Sequence, residues 1–185
     1  MEIWIFTKFV NQASITKISY KMKILLYLLT CSCMGFAQHD GNLQNKKAIA
    51  MAIDEWHKAA ADANFKDYFS LMTVQSVFIG TDHTEKWHKE AFMAYAKPHF
   101  DKGKAWSFTA VEREIVMYSN DLAWFDELLS TQMGICRSSG IMKKVGGKWK
   151  IDRYVLSISI PNDNSDEVIK IKAPIENAYL KDKVK

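Results

Sequence analysis

Two carboxylates stand side by side at Asp126 and Glu127, inside the alternating run Leu122 to Leu129. On a strand, neighbouring side chains point to opposite faces, so one of the two is expected to face inward. The phase that turns Trp124 inward selects Asp126. Burial among apolar groups raises a carboxyl pKa, which would fit Asp126 to act as a general base. The competing expectation is a carboxylate paired across the sheet with Arg137 or Arg153. Arg137 has a second use, holding a ligand carboxylate through two nitrogens. Tyr154 can donate to a ligand oxygen or simply pack on a half-buried strand. His99, just after Pro98, is a candidate acid or base at a pocket mouth, or else a surface histidine. Ser139, with Ser157 behind it, is a further polar candidate, and Trp87 and Trp124 are candidate aromatic walls for a ligand.

Other chemistry-bearing residues have plainer readings. Asp82, His83, Glu85 and His88 cluster at a turn, where Asp82 is expected to cap a helix with Glu85 at its third position. His83 and His88 are five apart and do not form a metal-binding pair of the His-Glu-x-x-His kind. No metal and no cofactor is expected. His57, beside Trp56, is expected to face outward. Cys136 reads as a buried inert thiol. Trp56, Trp106 and Trp149 read as core or pocket wall. Lys143, Lys144, Lys148 and Lys150 read as a solvated hairpin.

The elements that must position these residues follow from periodicity. Ile49, Ile53, Trp56, Ala60 and Ala63 recur at steps of four and three, one face of an amphipathic helix. Asn64 caps a second helix whose apolar face is Phe65, Tyr68, Phe69 and Met72. Val74 to Gly80 is a strand. A third helix is expected from about Glu85 to Lys97, ended by Pro98. Trp106 to Tyr118 is a strand with a bulge near Glu112 to Glu114. Leu122 to Gln132 follows, then Cys136 to Val145 and Lys148 to Ile158. The last two are joined at Gly146-Gly147, where a primed hairpin turn needs positive φ at both positions. Helices followed by a run of strands predict an α+β domain, a strongly curved antiparallel sheet wrapped around N-terminal helices, with a cavity between them.

Charge and length narrow the function classes. The chain has 185 residues and a net charge of +4. Its first 37 residues hold four Lys and one Glu, and without them 21 basic residues face 20 acidic ones. That balance gives no electrostatic case for nucleic-acid binding. Met22-Lys23, the apolar run Ile24 to Met34 and Gly35-Phe36-Ala37 form the basic, apolar and small regions of a signal peptide cut before Gln38. Met22 is then the expected true start, with residues 1–37 as leader. The apolar run is too short to span a bilayer. Export to a periplasm or the outside is expected, with a lipoprotein cut before Cys31 or Cys33 as the alternative. Residues 38–45 read as a flexible lead-in, 46–162 as the domain and 163–185 as a charged tail. Cys136 alone remains after the leader, so no internal disulfide is expected.

The set Phe78-Ile79-Gly80-Thr81-Asp82, Glu85-Lys86-Trp87, Ala123-Trp124-Phe125-Asp126-Glu127, Arg137-Ser138-Ser139-Gly140, Gly147-Lys148-Trp149-Lys150-Ile151 and Tyr154-Val155-Leu156-Ser157 resembles the SnoaL-like branch of the nuclear transport factor 2-like superfamily. The resemblance covers roughly Lys46 to Asn162. It implies a cone-shaped α+β barrel. The superfamily includes ketosteroid isomerase, scytalone dehydratase, polyketide cyclases and members with no known reaction, so the fold does not select one function. Three readings stand. The first is an exported domain that binds a small hydrophobic or amphipathic ligand in the cone. The second is a cofactor-independent isomerase, dehydratase or cyclase with Asp126 as base and Tyr154, Arg137 or His99 as partner. The third is a non-catalytic interaction module, a homodimer through the outer sheet face as the resemblance implies.

Overall fold

The structure, a computed structural model, describes residues 41–183. The expected leader and its cleavage site lie outside these residues. The chain divides into two compact units, Met1–Lys47 and Ala48–Lys185. In the first, the described residues 41–47 are helical, which corrects the flexible lead-in expected there. The rest of the description concerns the second unit.

Helix α1 occupies residues 48–61 and buries Ile49, Ile53, Trp56 and Ala60, the stripe read from the spacing. Helix α2, Phe65–Ser70, starts at Asn64, whose side chain accepts from the Asp67 amide at 3.1 Å. Strand β1 is Met72–Ile79, β2 is Lys86–His88 and helix α3 is Lys89–Asp101. Strands β3 (Phe108–Met117), β4 (Leu122–Thr131), β5 (Gly134–Val145) and β6 (Lys148–Ile158) complete the sheet. Its order is β2-β1-β6-β5-β4-β3, antiparallel except for the parallel pair β1 and β6. The β5–β6 turn holds Gly146 and Gly147 at φ of 58° and 79°, the conformation a primed turn demands.

Four expectations are corrected. Pro98 does not end α3, which runs on to Asp101; proline removes one backbone donor, and near a helix end few further bonds depend on it. Trp87 lies on β2, not on a helix. The Asp82–Glu85 pair closes the β1–β2 turn, with Thr84 N donating to Asp82 Oδ1 at 2.8 Å and Asp82 N to Glu85 Oε2 at 3.2 Å; α3 begins later, with His88 at its cap. The charged tail folds too, as a 3-10 turn at Asn162–Asn164 followed by helix α4, Ser165–Lys183. Acidic Asp166 and Glu167 open α4 and basic Lys181 and Lys183 close it, each sign matching the helix dipole.

Register sets the interior. On the inner face Ile115, Phe125, Gly140, Tyr154 and Phe78 form one continuous row across five strands. A Cβ on Gly140 would lie 2.5 Å from the Phe125 ring and 2.6 Å from the Arg153 carbonyl oxygen. The missing side chain is what lets Phe125 lie across β5. Two irregularities tune the row. One falls between Ala110 and Glu112 on β3, near the expected bulge. The other, opposite Ile141 and Met142, lets Ile151 and Tyr154 both face inward although they are three apart. Gly140→Ala is expected to destabilise the domain by about 1–3 kcal/mol, as overpacking in a closed core does; urea unfolding measures it, and an unchanged midpoint would refute the tight row.

Candidate functional site

Along β4 the buried residues are Ala123, Phe125, Glu127 and Leu129. The inward carboxylate is therefore Glu127, and Asp126 shares the opposite face with Trp124. This corrects the expected phase. The physical reason lies on the neighbouring strands: Glu127 is opposite Arg113 on β3 and Ser138 on β5, while Asp126 is opposite Glu114 and Ser139. Only the inner row offers a buried carboxylate its compensation.

That compensation is dense. The Glu127 side chain has no exposed surface. Arg113 Nε donates to Oε1 at 2.9 Å, and Arg113 Nη2 approaches the same oxygen at 2.7 Å. Ser138 Oγ donates to Oε2 at 3.1 Å. His57 Nε2 lies 3.0 Å from Oε2, and since an ionised carboxylate only accepts, the imidazole donates. Arg113 also reaches α1, donating to the Ala50 carbonyl at 3.2 Å and to Asp54 at 2.7 Å. Burial by itself would raise the Glu127 pKa; the hydrogen bond and charge of His57 and the guanidinium of Arg113 outweigh it and hold the carboxyl below its ordinary value. Burial also works against the Arg113 charge, but Asp54 and Glu127 more than offset that and keep its pKa raised.

His57 is thus buried, against expectation. The signal was present: position 57 is four after Ile53 and three before Ala60, on the apolar stripe. Arg113, inside a bulged strand, gave no comparable signal.

The arrangement is a poor general base. A base needs a free lone pair within reach of the substrate proton. Both Glu127 oxygens are already engaged, and the carboxylate is held ionised by two partners. Tyr154 sits close by, fully buried, with no hydrogen-bond partner of good geometry for its hydroxyl. Burial first, then the Glu127 charge, push its pKa far above the ordinary phenol value, so it remains a neutral group able to donate. Tyr68 is raised likewise, by burial first and then by Tyr154. The Trp56 indole nitrogen and the Tyr68 hydroxyl are also buried without a hydrogen-bond partner of good geometry.

The other sequence candidates disperse. Arg137 is exposed and Ser139 half-buried, both on the outer face with Asp126 and Trp124. The expected Asp126 pairing with Arg137 or Arg153 is not among the ion pairs of the described residues. His99 is exposed on α3, its ring 5.4 Å from Tyr95. Cys136 is buried and free. Among the described residues no group of His, Cys, Asp and Glu could hold a metal ion, and no helix is long and apolar enough to cross a membrane.

Trp87 does line a cavity. It measures about 140 Å³ and opens between the β1–β2 turn, α3 and the β3–β4 edge. Phe78, Trp87, Phe92, Tyr95, Trp106 and Phe108 form its aromatic wall, and Glu85 and Gln132 supply polar groups. The buried network begins one ring deeper: Phe108 packs edge-on against His57 at 5.6 Å, and Phe78 lies 5.5 Å from Tyr154. A larger surface groove of about 730 Å³ runs between the helices and the β5–β6 turn. It is lined by mixed charges, of which Lys58 and Asp62 pair with each other.

A mixed sheet curled over helices, with a pocket at its mouth, is the nuclear transport factor 2-like α+β architecture. The chain belongs to the SnoaL-like domain family, whose match spans residues 49–161. Solved structures share the fold at low identity. A protein of unknown function from Pseudomonas putida KT2440, described as NTF2-like, is 14% identical with a TM-score of 0.57, over 66% of this chain and 92% of that one. A candidate scytalone dehydratase from Novosphingobium aromaticivorans is 14% identical with a TM-score of 0.58, over 65% and 88%. The association domain of C. elegans CaMKII is 16% identical with a TM-score of 0.55, over 64% and 99%. No curated protein matches the sequence.

Removing Glu127 strands Arg113 and His57. Glu127→Ala is expected to cost about 3–5 kcal/mol in urea unfolding at neutral pH, as breaking a buried pair does. The pH dependence has a definite sign. The folded pKa of Glu127 is lower than the unfolded value, so its stabilisation is complete above about pH 4.5 and is lost as the pH falls through the folded value. Glu127→Gln should flatten the acid limb of stability against pH; an unaltered limb would refute the assignment.

Proposed function

We propose that this domain binds a small hydrophobic or amphipathic molecule at the mouth of the cone. The observation that carries the reading is the cavity with its wall of six aromatic side chains. Pockets of this kind recognise ligands by apolar contact, with a few polar groups fixing orientation. The volume sets the scale. A cavity of about 150 Å³ accommodates benzene, so about 140 Å³ suits one ring, or the ring-sized end of a longer molecule. The saturated Glu127 network supports binding over catalysis, since it holds the wall in place and has no proton-accepting site to spare. The candidate dehydratase among the similar structures keeps turnover open as an outcome of ligand screening. Toluene, phenol and indole are expected to bind saturably, with amide shifts in two-dimensional NMR gathered at Phe78, Trp87 and Tyr95. Trp87→Ala should weaken them by about tenfold, the loss of one buried aromatic contact. Absence of saturable shifts in the wild type would reject the reading.

A second reading concerns assembly. Val116, Trp124 and Ile141 align as a half-buried apolar row on the outer sheet face, and the C. elegans structure is an association domain. A homodimer through this face is our proposal, and Trp124→Glu should then shift the mass in light scattering from dimer to monomer; a wild-type monomer would refute it. Export remains part of the same proposal, resting on residues 22–37; the intact mass of the mature protein should correspond to a start at Gln38.

A further inference from the structure

We propose that the ligand of the mouth pocket is a compact organic cation, a quaternary or methylated ammonium group. The inference rests on the pocket reading above and adds the charge of the occupant.

The lining has one charged side chain, Glu85, and no basic one. Among the described residues, no ion pair engages the Glu85 carboxylate. Its contacts are with backbone: Oε2 accepts from the Asp82 amide at 3.2 Å, and the side chain folds over Gly80, where a Cβ would meet it at 2.1 Å. The β1–β2 turn holds it rigidly, because Gly80 N donates to the Glu85 carbonyl at 2.9 Å and Glu85 N to the Asp82 carbonyl at 3.0 Å. The carboxylate is therefore fixed at the pocket and, among the described residues, forms no ion pair, although Lys86 and Lys172 line the groove on its other side.

The aromatic wall has the same preference. Trp87 and Tyr95 stack at 4.4 Å, and Trp87 and Phe92 at 5.7 Å, with planes within 23°. Trp106 continues the series from Phe92 at 5.8 Å. The ring faces left uncovered by this stacking carry negative charge density and attract cations, tryptophan most strongly. Glu85 already acts on this wall: burial first, then its charge, raise the Tyr95 hydroxyl pKa. A ligand carboxylate would meet that same field and be repelled. A bulky cation with a diffuse charge loses less hydration on entering than a primary ammonium does, and a trimethylammonium head is close to a single ring in size.

Choline and its uncharged carbon isostere, in which a tert-butyl group replaces the trimethylammonium group, separate charge from shape. Calorimetry on the wild-type chain is expected to show choline binding about tenfold more tightly, with the gap narrowing as salt rises. Glu85→Gln keeps an oxygen to accept from Asp82 N and should bring the two ligands together. Equal or tighter binding of the isostere would overturn the cation assignment and leave the pocket reading standing. Failure of choline, the isostere and toluene alike would overturn both.

Discussion

A negative charge buried without exposed surface is the constraint around which this domain is arranged. Glu127 could not remain ionised there alone, because desolvating a carboxylate is costly unless cations and donors replace its water. The replacements come from three separate elements: Arg113 from β3, Ser138 from β5 and His57 from α1. Each lies far from Glu127 in sequence or on another strand, so the carboxylate can be satisfied only when helix and sheet have docked in one register. The network thus specifies the arrangement more than it adds to its depth. Replacing the whole set with well-packed apolar residues is compatible with a stable domain; removing one member leaves an uncompensated buried charge and is strongly destabilising.

Arg113 extends this specification to α1. By bonding Ala50 and Asp54 together with Glu127, it fixes how far along the sheet the helix sits. The aromatic row then follows. With α1 in place, Trp56 stacks on Tyr68 at 4.8 Å and meets Tyr154 edge-on at 4.8 Å. Phe125 fills the space Gly140 leaves. The deep interior closes, and the open volume is displaced to the mouth, where the β1–β2 turn and α3 contribute Glu85, Trp87 and Tyr95. Charge and ligand space are thereby separated: the ionised network stiffens the interior, and the pocket is left with aromatic surface and one carboxylate. Our proposal of a small-molecule ligand at the mouth starts from this separation.

Much of the fold was legible because local rules and tertiary structure agree. The α1 stripe, the Asn64 cap, the Gly146-Gly147 turn and the strand sequence each follow from spacing or backbone chemistry that holds in any context. The site was less legible. Asp126 and Glu127 are adjacent and chemically similar, so alternation demands that one face inward without saying which. Trp124 was a poor guide to the phase, since Phe125 is also aromatic and fits above Gly140. His57 lay on the apolar stripe, yet its polarity argued for the outside; a buried carboxylate seventy residues away reversed that argument. The C-terminal segment read as a charged tail, although the signs of its end charges suit a helix.

The amino-acid sequence by itself determined α1, α2, β1 and the strands β3 to β6, that they make an α+β domain, and that abundant aromatic residues were available to it. These are properties of short windows, set by side-chain periodicity and by the φ preferences of a few glycines and caps. The tertiary structure alone decided which carboxylate is buried, that Arg113 pairs with it while His57 and Ser138 bond it, and that among the described residues no ion pair engages Glu85 beside the aromatic mouth. Those outcomes depend on register between distant strands and on the docking of a helix. A one-residue slip in the register of a strand would turn that strand's inward side chains outward.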